Sequence, residues 1–227
     1  MVPSFAEDPA LVALLKRIRS WPRMPREVIV ADGAQSIDTR RLCARYEALW
    51  VPSVHGRGVQ LMKGAAQARG SVLWFVYPDA EPHPQSLMAI AIAIDSGALG
   101  GYFRWRPRGR RHWQKTLLEL GVRLRSQCGV PYGDQGLFVA RETFEVCGGF
   151  APTPLFEQVP LVKAVRRQGR FDALALPISV AEGPWARRRW LRHALSNRLL
   201  ALGYIAGFSP ATLARWSSRD EGEAESL

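Results

Sequence analysis

A length of 227 residues fits one ordinary domain, or one domain with a short appendage. Hydrophobic residues make up 47% of the chain and charged residues 22%, so the chain can bury a core, which excludes a disordered or a fibrous protein. The net charge of +11 leaves two explanations open, an anionic partner or an arginine excess without functional meaning.

Helices and strands alternate in the first half of the chain. Asp8 and Pro9 predict the start of a helix, because aspartate is a good N-cap and proline fits the first turn. Trp21-Pro22 ends this helix. Four further elements follow from the apolar periodicity: a strand at 27–31, a helix from about Asp38, a helix within 56–67 and the strongest strand of the chain at 71–77.

The second half continues the same alternation. Strands are predicted at 99–106, 136–140 and 171–180, and helices at 84–95, 113–127, 141–147 and 159–167. One or two closing helices are predicted from 185 to about 207, and the acidic tail at 217–227 is expected to be frayed. Strands separated by helices favour parallel pairing through helical crossovers, so the predicted fold class is α/β.

Two of the predicted strands end in an aspartate, Asp32 and Asp79. The carboxyl ends of parallel strands share one edge of the sheet, where ligands bind, so we expect both side chains to face one pocket. A single aspartate at such a position is more often a helix cap or part of a turn, but two at one edge favour a site. Arg57, which lies between two glycines, either reaches a phosphate at this edge or is a solvated loop residue.

Four sequence blocks, in this order, resemble bacterial family 2 glycosyltransferases: EVIVADGAQSIDT, GRGVQLMKGAAQARGSVLWFVYPDAEP, VPYGDQGLFVARETFEVCGGF and PLFEQVPLVKAVRRQGR. The resemblance covers about residues 2–216 and is greatest to a small soluble branch associated with arsenosugar biosynthesis. It implies a GT-A (Rossmann-like) fold, with a mostly parallel sheet and helices on both faces. On this basis residues 1–182 form the transferase domain, 183–216 form C-terminal helices packed on it, and 217–227 form the tail.

The resemblance also implies an activity and a set of site residues. The activity is inverting transfer of a sugar from a nucleotide-diphosphate donor, a UDP-sugar, to a hydroxyl of a small-molecule or lipid acceptor, with Mg²⁺ or Mn²⁺ as cofactor. Asp79 matches the family's metal and diphosphate residue, and Glu81 is either a second oxygen ligand or a surface residue. The other implied roles are contact with the nucleoside base for Asp32, with the donor phosphates for Arg57, and with the acceptor for Asp134 and Gln135, although Asp134 and Gln135 equally fit a structural turn.

Three departures from the family pattern leave a catalytically degenerate, donor-binding protein as an alternative. Gln158 stands where the family has an aspartate general base, and an amide cannot take up a proton. Its neighbour Glu157 either substitutes as the base or caps the following helix. The metal motif reads Tyr77-Pro78-Asp79 in place of His-Ala-Asp, and Gly183-Pro184-Trp185 stands in place of Arg-Arg-Trp.

Residues 1–7 correspond to the end of the family's first strand, so we expect that strand to be largely missing. Either translation begins upstream of Met1 or the centre of the sheet is compromised, and an upstream start is the preferred interpretation.

A basic segment at 104–113 supports a competing hypothesis. Arginines interleaved with Trp105 and Trp113 could bind single-stranded nucleic acid, although a solvated loop is the favoured interpretation. Together with Arg187, Arg188 and Arg189, the segment could also hold the protein near an anionic membrane surface.

Cysteine spacing and hydropathy bear on location. Cys43, Cys128 and Cys147 are far apart and in no Cys-x-x-Cys spacing, which argues against a disulfide framework and a zinc site and predicts a reducing, cytoplasmic location. The sequence has no secretory-signal pattern, and no run approaches the roughly 18 uncharged apolar residues that a spanning helix needs.

Overall fold

The computed structural model describes residues 1–5, 8–109, 113–180, 199–204 and 206–216. The strands in these ranges are β1 Val2–Ser4, β2 Ile29–Asp32, β3 Leu49–Pro52, β4 Val72–Trp74, β5 Ala80–Pro82, β6 Gly100–Pro107, β7 Phe138–Ala140 and β8 Phe171–Val180. The helices are α1 Pro9–Arg19, α2 Ile37–Arg45, α3 Arg57–Gln67, α4 Ser86–Asp95, α5 Trp113–Cys128, α6 Arg141–Val146 and α7 Gln158–Gln168, with a 3₁₀ turn at Gly133–Gln135.

The sheet has a parallel part and a mixed part. β1, β2 and β3 pair in parallel with β2 in the middle, whereas the second part has the order β4-β7-β6-β8-β5. In the second part only β6 and β8 are parallel neighbours among the described strands. The predicted α/β class is confirmed. Parallel pairing is less extensive than expected, because the connection through α5 and the 3₁₀ turn brings β7 back antiparallel to β6.

The short strand β1 joins the two parts of the sheet. It is buried and pairs with β2 on one side. On the other side, the Met1 backbone nitrogen donates to the Trp74 carbonyl (2.6 Å), and the Val76 N–H donates to the Met1 carbonyl (2.9 Å). The three residues of β1 therefore lie at the centre of the sheet, where the family's first strand was expected to be largely missing.

Helices cover both faces of the sheet, as expected. On one face, Val30 of β2 packs in a core with Leu15 of α1 and Ile90 of α4. On the other face, Ile29 of β2 lies against Gly64 of α3. A second core on this side joins α3, α6 and α7. The division follows from the alternation of side chains along a strand.

The described C-terminal residues are helical at 199–204 and 210–216, and Leu200 and Leu213 are buried. The Tyr204 ring lies 4.8 Å from that of Phe156, just before α7. Within the described ranges, no helix has the length and apolarity needed to cross a membrane. Several expectations lie outside the described residues: the boundary at 182/183, Gly183-Pro184-Trp185, Arg187 to Arg189 and the tail at 217–227.

Gln60 of α3 is a buried polar link between this helix and the sheet. Its Nε2 donates to the carbonyls of Ser4 (2.5 Å) and Ala31 (2.9 Å). These residues are at the carboxyl ends of β1 and β2, so the link fixes the start of α3 relative to the edge where ligands bind in such sheets.

We predict that Gln60→Leu lowers the free energy of unfolding by about 1–3 kcal/mol, because two buried carbonyls lose a donor. Urea denaturation measures this change. Gln67→Leu is the matched control, since Gln67 is exposed at the end of the same helix, and its effect should stay within about 0.5 kcal/mol. Equal losses in the two variants would contradict the assigned role of Gln60.

Candidate functional site

Tyr77, just after β4, is the centre of a polar cluster. Its hydroxyl donates to Glu157 Oε1 (3.0 Å), and the Arg57 guanidinium carbon lies 5.5 Å from the centroid of its ring. Glu157 is only 3% exposed and immediately precedes α7, while Arg57 is the first residue of α3. Two helix N-termini and the end of β4 therefore meet here. We call Arg57, Tyr77, Asp79, Asp134 and Glu157 the Tyr77 cluster.

Gly133 brings the PYGDQ turn into the cluster. A Cβ at this position would overlap the Tyr77 hydroxyl, so only glycine permits this close approach. The next residue, Asp134, interacts electrostatically with Arg57 and Asp79. The central glycine of the sequence block is thus explained by packing, and the aspartate beside it becomes a candidate site residue.

Asp134 carries an unsatisfied buried oxygen. Its Oδ1 has no hydrogen-bond partner among the described residues. Burial raises the pKa of Asp134 to about 6, and the charge of Asp79 adds to the rise, while Arg125 and Arg57 oppose it. A buried carboxylate oxygen without a partner is costly in a folded protein, so this atom is a candidate ligand-binding group.

Asp79 lies in the turn between β4 and β5 and stays exposed. Partial loss of water around the carboxylate raises its pKa, and the positive charges of Arg57 and Arg108 act against the rise. The described residues contain no group of three or more histidine, cysteine, aspartate or glutamate side chains that could hold a metal ion. The carboxylates of Asp79 and Asp134 are nevertheless the type of ligand that a hard divalent cation prefers.

Glu81 does not join the cluster. Its Oε1 accepts from the guanidinium groups of both Arg17 and Arg108. Burial would raise the pKa of Glu81, but the hydrogen bond and charge of Arg17, together with Arg108, lower it overall. The expected role as a second metal ligand is corrected on this ground, because two arginines already neutralise the carboxylate.

Asp32 and Asp79 have separate surroundings, which corrects the expectation of one shared pocket. The Asp32 carboxylate is fully buried and accepts from the Ala34 N–H (3.0 Å), the Ser36 N–H (2.8 Å) and Trp50 Nε1 (3.1 Å). None of these contacts involves the Tyr77 cluster. Asp32 therefore shapes the loop after β2 and leaves little room for a further donor, such as a nucleoside base.

Gln135 and Gln158 are both buried. Gln135 Oε1 accepts from Ser126 Oγ (2.8 Å) and the Tyr132 N–H (3.1 Å), and its Nε2 donates to the Phe103 carbonyl (3.4 Å). Its side chain therefore ties the PYGDQ turn to α5 and β6, and a role of Gln135 on the acceptor side stays a prediction. Gln158 is the first residue of α7, next to Glu157, whose side chain does not cap that helix.

The first part of the basic segment belongs to a strand, which agrees with the strand predicted at 99–106. Residues 104–107 belong to β6 and pair with β8. Arg106 forms an ion pair with Glu119 (3.5 Å), and the Trp105 side chain is half-buried. Arg110, Arg111 and His112 lie outside the described residues, so binding of single-stranded nucleic acid by this segment stays a prediction.

Tyr77 and Arg125 had no predicted role. Arg125 stacks on the Tyr132 ring at 3.6 Å, and its positive charge opposes the rise in the pKa of Asp134. The one signal for Tyr77 was its position two residues before Asp79. Arg125 belongs to an amphipathic helix, where an arginine normally faces solvent.

Comparisons with known proteins agree with this architecture. The sequence profile of glycosyl transferase family 2 matches residues 1–153. No curated protein matches significantly. Among solved structures, a mycobacterial protein is 22% identical with a TM-score of 0.57, over 79% of this chain and 63% of that one.

Glucosyl-3-phosphoglycerate synthase from Mycobacterium tuberculosis is similar in two complexes. The complex with Mn²⁺, UDP and glucosyl-3-phosphoglycerate is 19% identical with a TM-score of 0.63, over 92% of this chain and 79% of that one. The complex with Mn²⁺, UDP-glucose and phosphoglyceric acid is 18% identical with a TM-score of 0.64, over the same shares. At these identities the likeness shows the fold, and the GT-A expectation is confirmed.

We predict that Asp134→Asn stabilises the metal-free protein at pH 8 by about 1–3 kcal/mol and has little effect near pH 4. The folded-state pKa lies above the ordinary 3.8, so the folded state binds a proton more tightly. The ionised carboxylate therefore lowers stability above about pH 6, and the penalty fades as the pH falls toward 4. A rise from 3.8 to about 6 corresponds to about 3 kcal/mol.

Urea unfolding with a chelator present measures this change at both pH values. Asp38→Asn is the control, because Asp38 is exposed and forms an ion pair with the likewise exposed Arg41, and its effect should stay below about 0.5 kcal/mol. A loss of stability in Asp134→Asn at pH 8 would overturn the interpretation.

Proposed function

The chain belongs to glycosyl transferase family 2, and we therefore propose that it transfers a sugar from a UDP-sugar to a hydroxyl acceptor, with inversion and with the help of Mg²⁺ or Mn²⁺. The observation that carries this proposal is the Tyr77 cluster, in which an exposed and a half-buried aspartate lie near an arginine at a helix N-terminus. This combination suits a cation and a diphosphate. The similar synthase, crystallised with Mn²⁺ and UDP, supports it.

Asp79 and Asp134 would hold the divalent cation, which supplies positive charge to the departing diphosphate when it is bound. Glu81 has no place in this set, since Arg17 and Arg108 occupy its carboxylate. Arg57 and the first backbone N–H groups of α3 would bind the phosphate oxygens. Asp32 would act indirectly, by holding the loop after β2 in place.

Transfer requires a base that takes the proton of the acceptor hydroxyl, and neither residue at the expected position suits this role as it stands. Gln158 has no titratable group, and the Glu157 carboxylate is buried against the Tyr77 hydroxyl. Glu157 could act as the general base only if Tyr77 moved away from it. These two observations favour, as a second candidate, a donor-binding protein with impaired turnover.

Two finer assignments concern the branch of the family and the location of the protein. We propose membership of the branch associated with arsenosugar biosynthesis, on the PYGDQ block and the order of the four sequence blocks. We also propose a cytoplasmic location, since Cys43 and Cys147 are free thiols.

The test of the donor site is thermal unfolding with UDP and Mn²⁺. We predict that Tm rises by about 5–10 °C when both are near 100 times Kd, and that neither has this effect alone. Asp79→Ala should abolish the rise, because the cation loses a ligand. Asp38→Ala, which removes an exposed carboxylate elsewhere, should keep it.

A sugar-transfer assay then separates the two candidates. Transfer to a hydroxyl acceptor by the wild-type protein supports the enzyme. Stabilisation without transfer, with transfer gained in Gln158→Asp, supports the donor-binding alternative. An unchanged Tm in the presence of both UDP and Mn²⁺ would contradict both candidates, because both require binding of the donor.

Helix α5 favours peripheral contact with an anionic membrane, where a lipid acceptor would reside. Trp113, Leu117, Leu120 and Leu124 are 51–68% exposed and lie at helical spacing on one face. Lys115 and Arg123 on the same helix and the net charge of +11 complement anionic lipid.

We predict that Leu117→Ser/Leu120→Ser weakens sedimentation with phosphatidylglycerol vesicles at least tenfold, because the apolar face of α5 loses its anchors. Ile92→Ser on α4 is the control, since Ile92 is 59% exposed, and it should bind like the wild type. Failure of the wild type to bind, or a dimer in solution that the double variant dissociates, would contradict lipid as the occupant.

A further inference from the structure

A cavity of about 210 Å³ lies between β6, β8 and α5. It exists because the pairing of β6 with β8 shifts register: Phe103 pairs with Leu174, but the next residue, Arg104, pairs with Pro177. The two extra residues of β8 bulge, and the small side chains of Ala173 and Ala175 line the opening. The volume accommodates several water molecules or one phosphate-sized group.

The cavity has an excess of positive charge. Glu119 on its wall is already paired with Arg106. Arg104 and Arg123 also line the cavity, and no acidic partner of either occurs within the described ranges. The positive charge of Arg123 acts on Tyr102, which also lines the cavity, because it opposes the rise that burial causes in the pKa of Tyr102. Two guanidinium groups without carboxylates suit an anion with several oxygens.

Neutral donors accompany these charges. Trp105 lines the cavity, and its buried indole Nε1 lacks a hydrogen-bond partner in the described part of the chain. The amide of Gln127 lies on the same wall. A buried N–H group without an acceptor costs folding free energy, which an oxygen atom of a ligand would recover.

We propose that this cavity binds a phosphate monoester group and that the group belongs to the sugar acceptor. The connection to the Tyr77 cluster is through Gln135, which forms part of the cavity wall and follows Asp134 directly in the chain. The link to the acceptor rests on the proposed function, whereas binding of the anion does not.

Calorimetric titration with inorganic phosphate and with phosphoglyceric acid, without UDP or metal, tests the proposal. Both should bind saturably, and glycerol should not. Arg104→Gln and Arg123→Gln should each weaken binding at least tenfold, while Arg69→Gln, which removes an exposed arginine after α3, should change it less than twofold. No saturable binding, or equal weakening by Arg69→Gln, would overturn the site.

Competition identifies the source of the phosphate. If phosphatidic acid vesicles displace bound phosphate and phosphatidylcholine vesicles do not, the site accepts a lipid-borne phosphate. If neither displaces it, the site takes a small soluble molecule; either outcome supports the phosphate site.

The same variants separate this proposal from the donor site. Arg104→Gln and Arg123→Gln should keep the rise in Tm with UDP and Mn²⁺. If UDP and Mn²⁺ do not raise the Tm of the wild type but phosphate still binds, the proposed function is contradicted and the anion site is not. The converse result would remove the anion site alone.

Discussion

The close contact between Gly133 and the Tyr77 hydroxyl holds the candidate site together. Because that hydroxyl also donates to Glu157, three segments distant in sequence are fixed at one point: the end of β4, the PYGDQ turn and the start of α7. The position of Asp134 depends on this contact, since it is the residue next to Gly133. A bulkier residue at 133 would move the aspartate and the tyrosine together.

Electrostatic pairing decides which carboxylates remain open to a ligand. Glu81 is neutralised by two arginines and Asp32 is satisfied by three donors, so both serve the fold. Asp134 keeps an oxygen that has no partner among the residues that the structure describes, and Asp79 stays exposed. A ligand-binding role had been predicted from the sequence for each of the four. The difference arises from the cations and amide groups that tertiary structure brings to each of them.

The sequence predicted most elements, because their signals are local. Asp8 and Pro9 start α1 as expected, and the apolar runs at β2, β4 and β8 are strands. β3 and β5 were missed because they are short and contain proline, so no alternation was visible. The cluster was only half predictable: Asp79, Arg57 and Asp134 stand in recognisable blocks, but the orphaned oxygen and the arginine pairs of Glu81 depend on contacts between distant segments.

The position of β1 affects the order in which the molecule can assemble. Its three residues pair with β2, about 28 positions away, and the preceding residue, Met1, bonds to the chain at 74–76, about 73 positions away. During synthesis the first strand can pair with β2 early, but its other edge stays open until residue 76 has emerged from the ribosome. The two parts of the sheet therefore pair late, through long-range contacts. Until then the N-terminal part has an open edge, whose unpaired backbone groups can bind another chain.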